Sequence, residues 1–157
     1  MKKIKVKNKQ DYLEMLIDDE DYEFISSISW SLNGGGYPAG WVNGKTVKAH
    51  RIIFPSKKGF VTDHINGNKL DNRASNLRHA TQRQNSQNRS SLKRVCSSKF
   101  KGVCWHKNNK KWVAHITSSE GARVHLGSFE DELLAARAYN DAARKMYGEF
   151  AKLNLIS

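Results

Sequence analysis

Apolar and polar positions alternate along this chain in short runs broken by glycine, asparagine and serine, and one stretch near the C-terminus keeps a helical period instead. In the first fifty residues, SISWSL and GGGYPAGWV are short aromatic-bearing segments that Gly34, Gly35, Gly36 and Gly40 divide into strands and turns. Asn43-Gly44, between WV and KTVKAHRIIF, is the strongest hairpin signal in the chain. Residues 1–48 therefore read as a small β-rich region, carrying Trp30, Tyr37 and Trp41, that leads into a unit at 49–88. In that unit VTDH is a strand, INGNKLDN a turn-rich loop and ASNLRHAT a turn with a second strand. Thr81, with Gln84 at the capping-box position, predicts a polar helix over 82–88. Residues 89–98 are serine-rich and basic without apolar periodicity, as a flexible linker is. Beyond it FKGVCWHK, KWVAHITS and ARVHLGSF alternate like half-buried antiparallel strands, with turns at Asn108-Asn109 and at 118–121. Glu130, Asp131 and Glu132 then enrich the first turn of a helix whose Ala135, Ala138, Tyr139, Ala142, Ala143 and Met146 share a face, and Gly148 offers its stop. Residues 99–157 thus form a three-stranded sheet packed on one helix, and the fold class is α+β, built from small antiparallel sheets.

Composition adds a partner to this outline. The chain has 157 residues, 38% of them hydrophobic, enough for one ordinary domain or two small ones. Its formal charge is +12, and the excess is unevenly placed: a net of −2 over residues 1–30, +8 over 31–90 and +6 over 91–157. A basic surface confined to the middle and the C-terminal region points to nucleic acid. The two cysteines, Cys96 and Cys104, match neither a CxxC pair nor a disulfide framework, which predicts a reducing compartment and no structural zinc. MKKIKVKNKQ has no apolar run behind its lysines, and no segment approaches a membrane span, so the expectation is a cytoplasmic protein with no membrane partner. The acidic stretch DDEDYEF reads as a solvated edge.

The chemistry concentrates in VTDHINGNKLDNRASNLRHATQRQNSQN, a stretch too rich in asparagine for an ordinary core. Hydrolysis of a phosphodiester needs a base to deprotonate water and a cation to stabilise charge on the phosphate and the departing oxygen. Histidine can be that base near neutral pH when another group fixes its tautomer, and carboxylate and amide oxygens suit Mg²⁺ or Mn²⁺. Asp63, His64, Asn76 and Asn85 offer those roles in order, whereas Asn66, Asn68 and Asn72 read as turn residues. Each alone has an ordinary explanation, since an Asp beside a turn makes an Asx bond and an Asn on a helix is usually solvated. The joint spacing carries the argument.

With these residues in place, AHRIIF followed by VTDHINGNKLDNRASNLRHAT and its asparagine-bearing helix resembles the HNH homing endonucleases of bacteriophages, in the H-N-N variant whose last position is Asn. The resemblance implies a ββα-metal (His-Me finger) core over 49–88. It implies that His64 is the general base, that Asn76 orients its imidazole, and that Asp63 and Asn85 hold one divalent cation, Mg²⁺ or Mn²⁺, on the scissile phosphate. Asn88, one turn beyond Asn85, competes for the last role. His50 and Arg51 are candidates for phosphate contact, as are Arg78 and Arg83, with a structural histidine the alternative at His50; His79 is assigned to packing or DNA contact. The linker residues Arg89, Lys93, Arg94 and Lys99 would follow the phosphate backbone or serve as a solvated tether.

FKGVCW, KWVAHI, RVHLGSF and AARAYNDAARKMYGEFAKLN are similar to the plant ethylene-response-factor (Apetala-type) DNA-binding domain, over residues 98–155. Alternation places Val103, Trp105, Trp112, Ala114, Ile116, Val124 and Leu126 against the helix and turns Lys101, His106, Val113, His115, Thr117, Arg123 and His125 outward. The family reads DNA with that outward face, which implies Lys101, Cys104, His106, Thr117, Arg123 and His125 as the reading positions here. The whole reads as a free-standing, metal-dependent endodeoxyribonuclease acting on double-stranded DNA without a small-molecule cofactor. One active site per chain is consistent with nicking by a monomer or double-strand cleavage by a homodimer. The alternatives are a catalytically inactive DNA-binding regulator and an RNA-binding protein.

Overall fold

The computed structural model describes residues 1–89 and 97–156, and they fall into two compact units, 1–85 and 86–157. The first opens on a hairpin that the lysine-rich N-terminus conceals. β1 (Lys2–Asn8) and β2 (Asp11–Ile17) pair antiparallel from Lys2 opposite Ile17 to Asn8 opposite Asp11. Along β1 every second residue is lysine, and the residues between, Ile4 and Val6, go into the core. The acidic stretch does not remain a loop: its tyrosine begins a short helix α1 (Tyr22–Ser26), which buries Ile25. α1 carries the chain across to β3 (Trp30–Leu32), which lies parallel to β1, so this sheet is mixed and departs from the all-antiparallel expectation. β4 (Pro38–Val42) and β5 (Lys45–Lys48) complete the order β2-β1-β3-β4-β5, joined by the predicted Asn43-Gly44 turn with both residues at positive φ. The core gathers Ile4, Val6, Met15, Ile17, Ile25, Trp30 and Ala49.

AHRII, expected to continue a strand, is instead helix α2 (Ala49–Ile53). Its Ala49 is fully buried against the sheet, with Ile52 and Ile53 packed beside it. β6 (Val61–His64) and β7 (Leu77–Ala80) form the anticipated two-stranded antiparallel sheet, and α3 (Gln82–Gln87) follows. The cap of α3 is reciprocal: Gln84 N donates to Thr81 Oγ1 at 3.2 Å while Thr81 N donates to Gln84 Oε1 at 2.8 Å.

In the second unit β8 (Val103–His106), β9 (Lys111–Thr117) and β10 (Arg123–Phe129) make an antiparallel sheet in the order β10-β9-β8, with a register shift between His125 and Gly127. Helix α4 (Glu132–Tyr147) packs on it, capped by Asp131 Oδ1, which accepts from Leu133 N and Leu134 N. Ala135, Ala136, Tyr139, Ala143 and Tyr147 are its buried stripe, while Met146, expected inside, is exposed. The stripe turns toward Asn140 because this side chain ties down the C-terminal segment: its Oδ1 accepts from Asn154 N at 2.7 Å and its Nδ2 donates to Asn154 O at 3.0 Å. Asn154 in turn accepts from Lys101 N and donates to Lys101 O, pinning the lead-in to β8. Trp105 and Val124, expected to pack on the helix, lie at the ends of edge strands and are exposed. Among the described residues no helix is long and apolar enough to cross a membrane.

Candidate active site

Asp63 and His64 end β6, and both are buried, at 4% and 5% exposure. The pleat of a two-stranded sheet sends consecutive side chains to opposite faces, so the two meet different partners. Asp63 lies directly opposite Arg78 on β7, whose Nε donates to its Oδ2 at 3.0 Å. His64 Nε2 is 3.1 Å from Oδ1 of Asn72, a side chain with no exposure at all. Burial lowers the proton affinity of His64 most, and Lys69 adds to this; the Asn72 bond and the charges of Asp63 and Asp71 oppose it, leaving a net downward displacement. A lowered proton affinity favours the neutral imidazole, the form a general base requires.

The loop between the strands is held by its own asparagines. Asn66 Oδ1 accepts from Asn68 N at 2.7 Å and Asn68 Oδ1 from Leu70 N at 3.1 Å, the turn roles expected of them. Asn76 closes the loop: its Oδ1 accepts from Asn66 N at 3.0 Å and its Nδ2 donates to Asp71 O at 2.8 Å. The side-chain bond to His64 described above therefore comes from Asn72, read from sequence as a turn residue, rather than from the expected Asn76. Asp71, held low by the Arg73 guanidinium, also accepts from Asn66 Nδ2. The acidic stretch contributes here too, because Asp18 Oδ2 accepts from Ala74 N at 2.7 Å.

His50 packs edge-on to His64, ring centroids 5.0 Å apart, and Tyr37 lies 5.1 Å from His50 and 6.1 Å from His64. Asn33 shapes the turn that delivers Tyr37, its Oδ1 accepting from Gly35 N and Tyr37 N, and Gly36 takes the positive φ of 75° that the turn needs. Lys48 and Lys69 stand 4.5 and 4.4 Å from the Tyr37 ring centre. At 4% exposure, with its Nδ1 buried and unpaired, His50 fits the structural-histidine alternative to phosphate contact. Burial, then the neighbouring His64, Lys48 and Arg51, pushes His50 down to about 3. Of the other expected contacts in this unit, Arg51 and Arg83 are exposed and Arg78 is turned to Asp63. His79 packs on Phe54, 4.5 Å between ring centres. Tyr37 was missed as a neighbour of the site because nothing in the local pattern shows that a strand-flanking aromatic meets a loop almost thirty residues away.

Among the described residues no three His, Cys, Asp or Glu side chains gather to hold a metal ion. The candidate ligands are hard oxygens, the buried carboxylate of Asp63 and the amide of half-buried Asn85, of the kind that suits a hard divalent cation.

In the second unit the outward face of the sheet carries His106, Thr117, Arg123 and His125, all exposed, with Cys104 and His115 half-buried. Arg123 Nη2 and His115 Nδ1 are 3.1 Å apart, and His115 meets His125 with ring centres 5.5 Å apart. Burial, Arg123 and His125 together lower the proton affinity of His115. Lys101 is turned to other partners, its Nζ donating to the carbonyls of Gln87 and Arg89, and burial with Lys152 lowers it to about 8. Arg89 is exposed, Asn88 is buried, and Lys93 and Arg94 lie outside the described residues.

Comparison with known proteins follows this division. Residues 47–87 match the family described as HNH endonuclease, and residues 98–149 match the AP2 domain. A protein of Acanthamoeba polyphaga mimivirus named as an uncharacterized HNH endonuclease is 35% identical over 145 residues, covering 87% of this chain and 72% of the relative. The chain belongs to the HNH endonuclease family. Protein 3.8 of Escherichia phage T7 is 34% identical over 98 residues, 62% of this chain and 78% of that protein. The dehydration-responsive element-binding protein 2D of Arabidopsis thaliana shares 54% identity over 46 residues, 29% of this chain and 22% of its own length. This family member is thus an HNH endonuclease domain joined to an AP2-type DNA-binding domain.

Proposed function

We propose that the chain is a divalent-cation-dependent DNA endonuclease of the homing type, in which residues 49–88 carry the chemistry and 99–157 contribute to the choice of site. The observation that carries this reading is the buried Asp63-His64 pair, with the imidazole hydrogen-bonded through Nε2 to Asn72 in a chain of the HNH family. His64 takes the proton of the attacking water at Nδ1. Arg78 orients the Asp63 carboxylate, and Asp63 with Asn85 would hold one Mg²⁺ or Mn²⁺. When bound, that cation stabilises charge on the phosphate and on the departing 3′ oxygen. Asn76 closes the loop that positions His64. Arg51, Arg83 and Arg89 meet phosphates, and His106, Thr117, Arg123 and His125 face the bases.

The products expected are 5′-phosphate and 3′-hydroxyl ends. Duplex DNA carrying the gene's own genomic neighbourhood, incubated with Mg²⁺ or Mn²⁺, should acquire breaks that DNA ligase reseals. Asp63→Asn should lower the rate by about 10–100-fold or more, since even the partners of metal ligands act on that scale. Breaks that ligase cannot seal, or full activity of Asp63→Asn, would contradict the reading.

A further inference from the structure

We propose that Asn72 is the positioning residue that fixes the tautomer of His64, and that the N-terminal sheet is part of the active site because β2 sets Asn72 in place. The inference rests on the reading of His64 as general base and deepens it.

The orientation of the Asn72 amide is determined by what surrounds it. Its Nδ2 donates to Lys69 O at 3.3 Å, and a carbonyl oxygen can only accept, so the nitrogen must lie on that side. Oδ1 then faces His64 Nε2 at 3.1 Å, and an amide oxygen also only accepts. Nε2 therefore carries the proton, and in the neutral ring Nδ1 carries the lone pair. The bond is between two buried side chains and is not shared with solvent.

The backbone of this segment is equally constrained. Asn72 N donates to Leu16 O at 2.9 Å and Leu16 N donates to Leu70 O at 2.8 Å, so the loop is added to the free edge of β2 as a short parallel bridge at Asp71. Leu16 lies between Met15 and Ile17, both fully buried, so its backbone cannot shift without disturbing the core of the sheet. The preceding residue, Asp71, is fixed as well, its carboxylate accepting hydrogen bonds of 2.7 Å from Arg73 Nε and Nη2. The path from core to imidazole runs through three consecutive fixtures: β2, the Asn72 backbone and the Asn72 amide.

The test is direct observation of the imidazole nitrogens by ¹⁵N NMR of the full chain, labelled at histidine and without added metal, beside steady-state cleavage. The wild type should show His64 as the Nε2–H tautomer. Asn72→Ala should lose that preference and lower kcat about 10–100-fold with KM little changed, the range for residues that orient a ligating or reacting histidine. Asn72→Asp, which keeps the accepting oxygen, should restore the Nε2–H tautomer and part of the rate. A wild-type His64 in the Nδ1–H form overturns the proposal whether or not the variants fold, as does an Asn72→Ala protein with unchanged tautomer and rate. Failure of the general-base reading would look different: His64→Ala would cleave normally while the tautomer of the wild type stayed as stated.

Discussion

His50 shows how much a single buried side chain can report. Its folded proton affinity is pushed down to about 3, against a usual histidine value of about 6.5 in an unfolded chain. Between those values the unfolded state binds a proton that the folded state refuses, so stability falls as pH drops through 6.5 toward 3 and is untouched above about pH 7.5. The contribution amounts to about 2 kcal/mol lost at pH 5. His50→Phe keeps a ring against His64 and removes the titration, so urea unfolding midpoints at pH 5 and pH 7.5 should lie closer together in the variant than in the wild type. Equal pH dependence in both would show that His50 is not held neutral by its burial.

At the scale of elements, the sequence was most legible where local chemistry decides structure. Thr81 and Gln84 announce α3 because their capping bonds are made within four residues, and Asp131 and Gly148 bracket α4 for the same reason. The unit that carries Asp63, His64 and Asn85 was legible as strand, loop, strand and helix because its turns and cap are local. The β1-β2 hairpin was hidden because lysine at alternate positions of β1 masks the two core residues of that strand, Ile4 and Val6. Helix α2 was hidden because Ala49 packs into a core whose other members, such as Ile4, Val6, Met15 and Ile17, are distant in sequence. The role of Asn72 depends on the edge of β2, more than fifty residues earlier, and no local signal could distinguish it from Asn66 or Asn68. One close approach in the second unit tests the packing of its sheet on α4. Gly102 has φ of 77°, and a Cβ there would collide with the Tyr139 ring and the carbonyl of His115. Gly102→Ala should therefore destabilise this unit by about 3 kcal/mol, seen as an earlier thermal transition; an unchanged transition would contradict that packing.

For the whole molecule, an HNH endonuclease domain and an AP2-type DNA-binding domain lie on one chain. A chain of +12 that neutralises six phosphates should lose about a thousandfold in apparent DNA affinity between 50 and 200 mM salt, a slope measurable by fluorescence anisotropy. Arg123→Ala removes the charged member of the pair with His115 and should raise the DNA concentration for half-maximal cleavage about 5–100-fold, the value of one good base contact. No change would remove Arg123 from the reading face. The central claim, that His64 is the base of a cation-dependent endonuclease, is tested most directly by one plasmid assay. Supercoiled DNA bearing the gene's own flanking sequence is incubated with the full chain and Mg²⁺, with EDTA and His64→Ala as controls. The account predicts conversion to nicked or linear DNA by the wild type, abolished by EDTA and by His64→Ala. Cleavage that persists in His64→Ala, or the absence of any EDTA-sensitive break by the wild type, would contradict it.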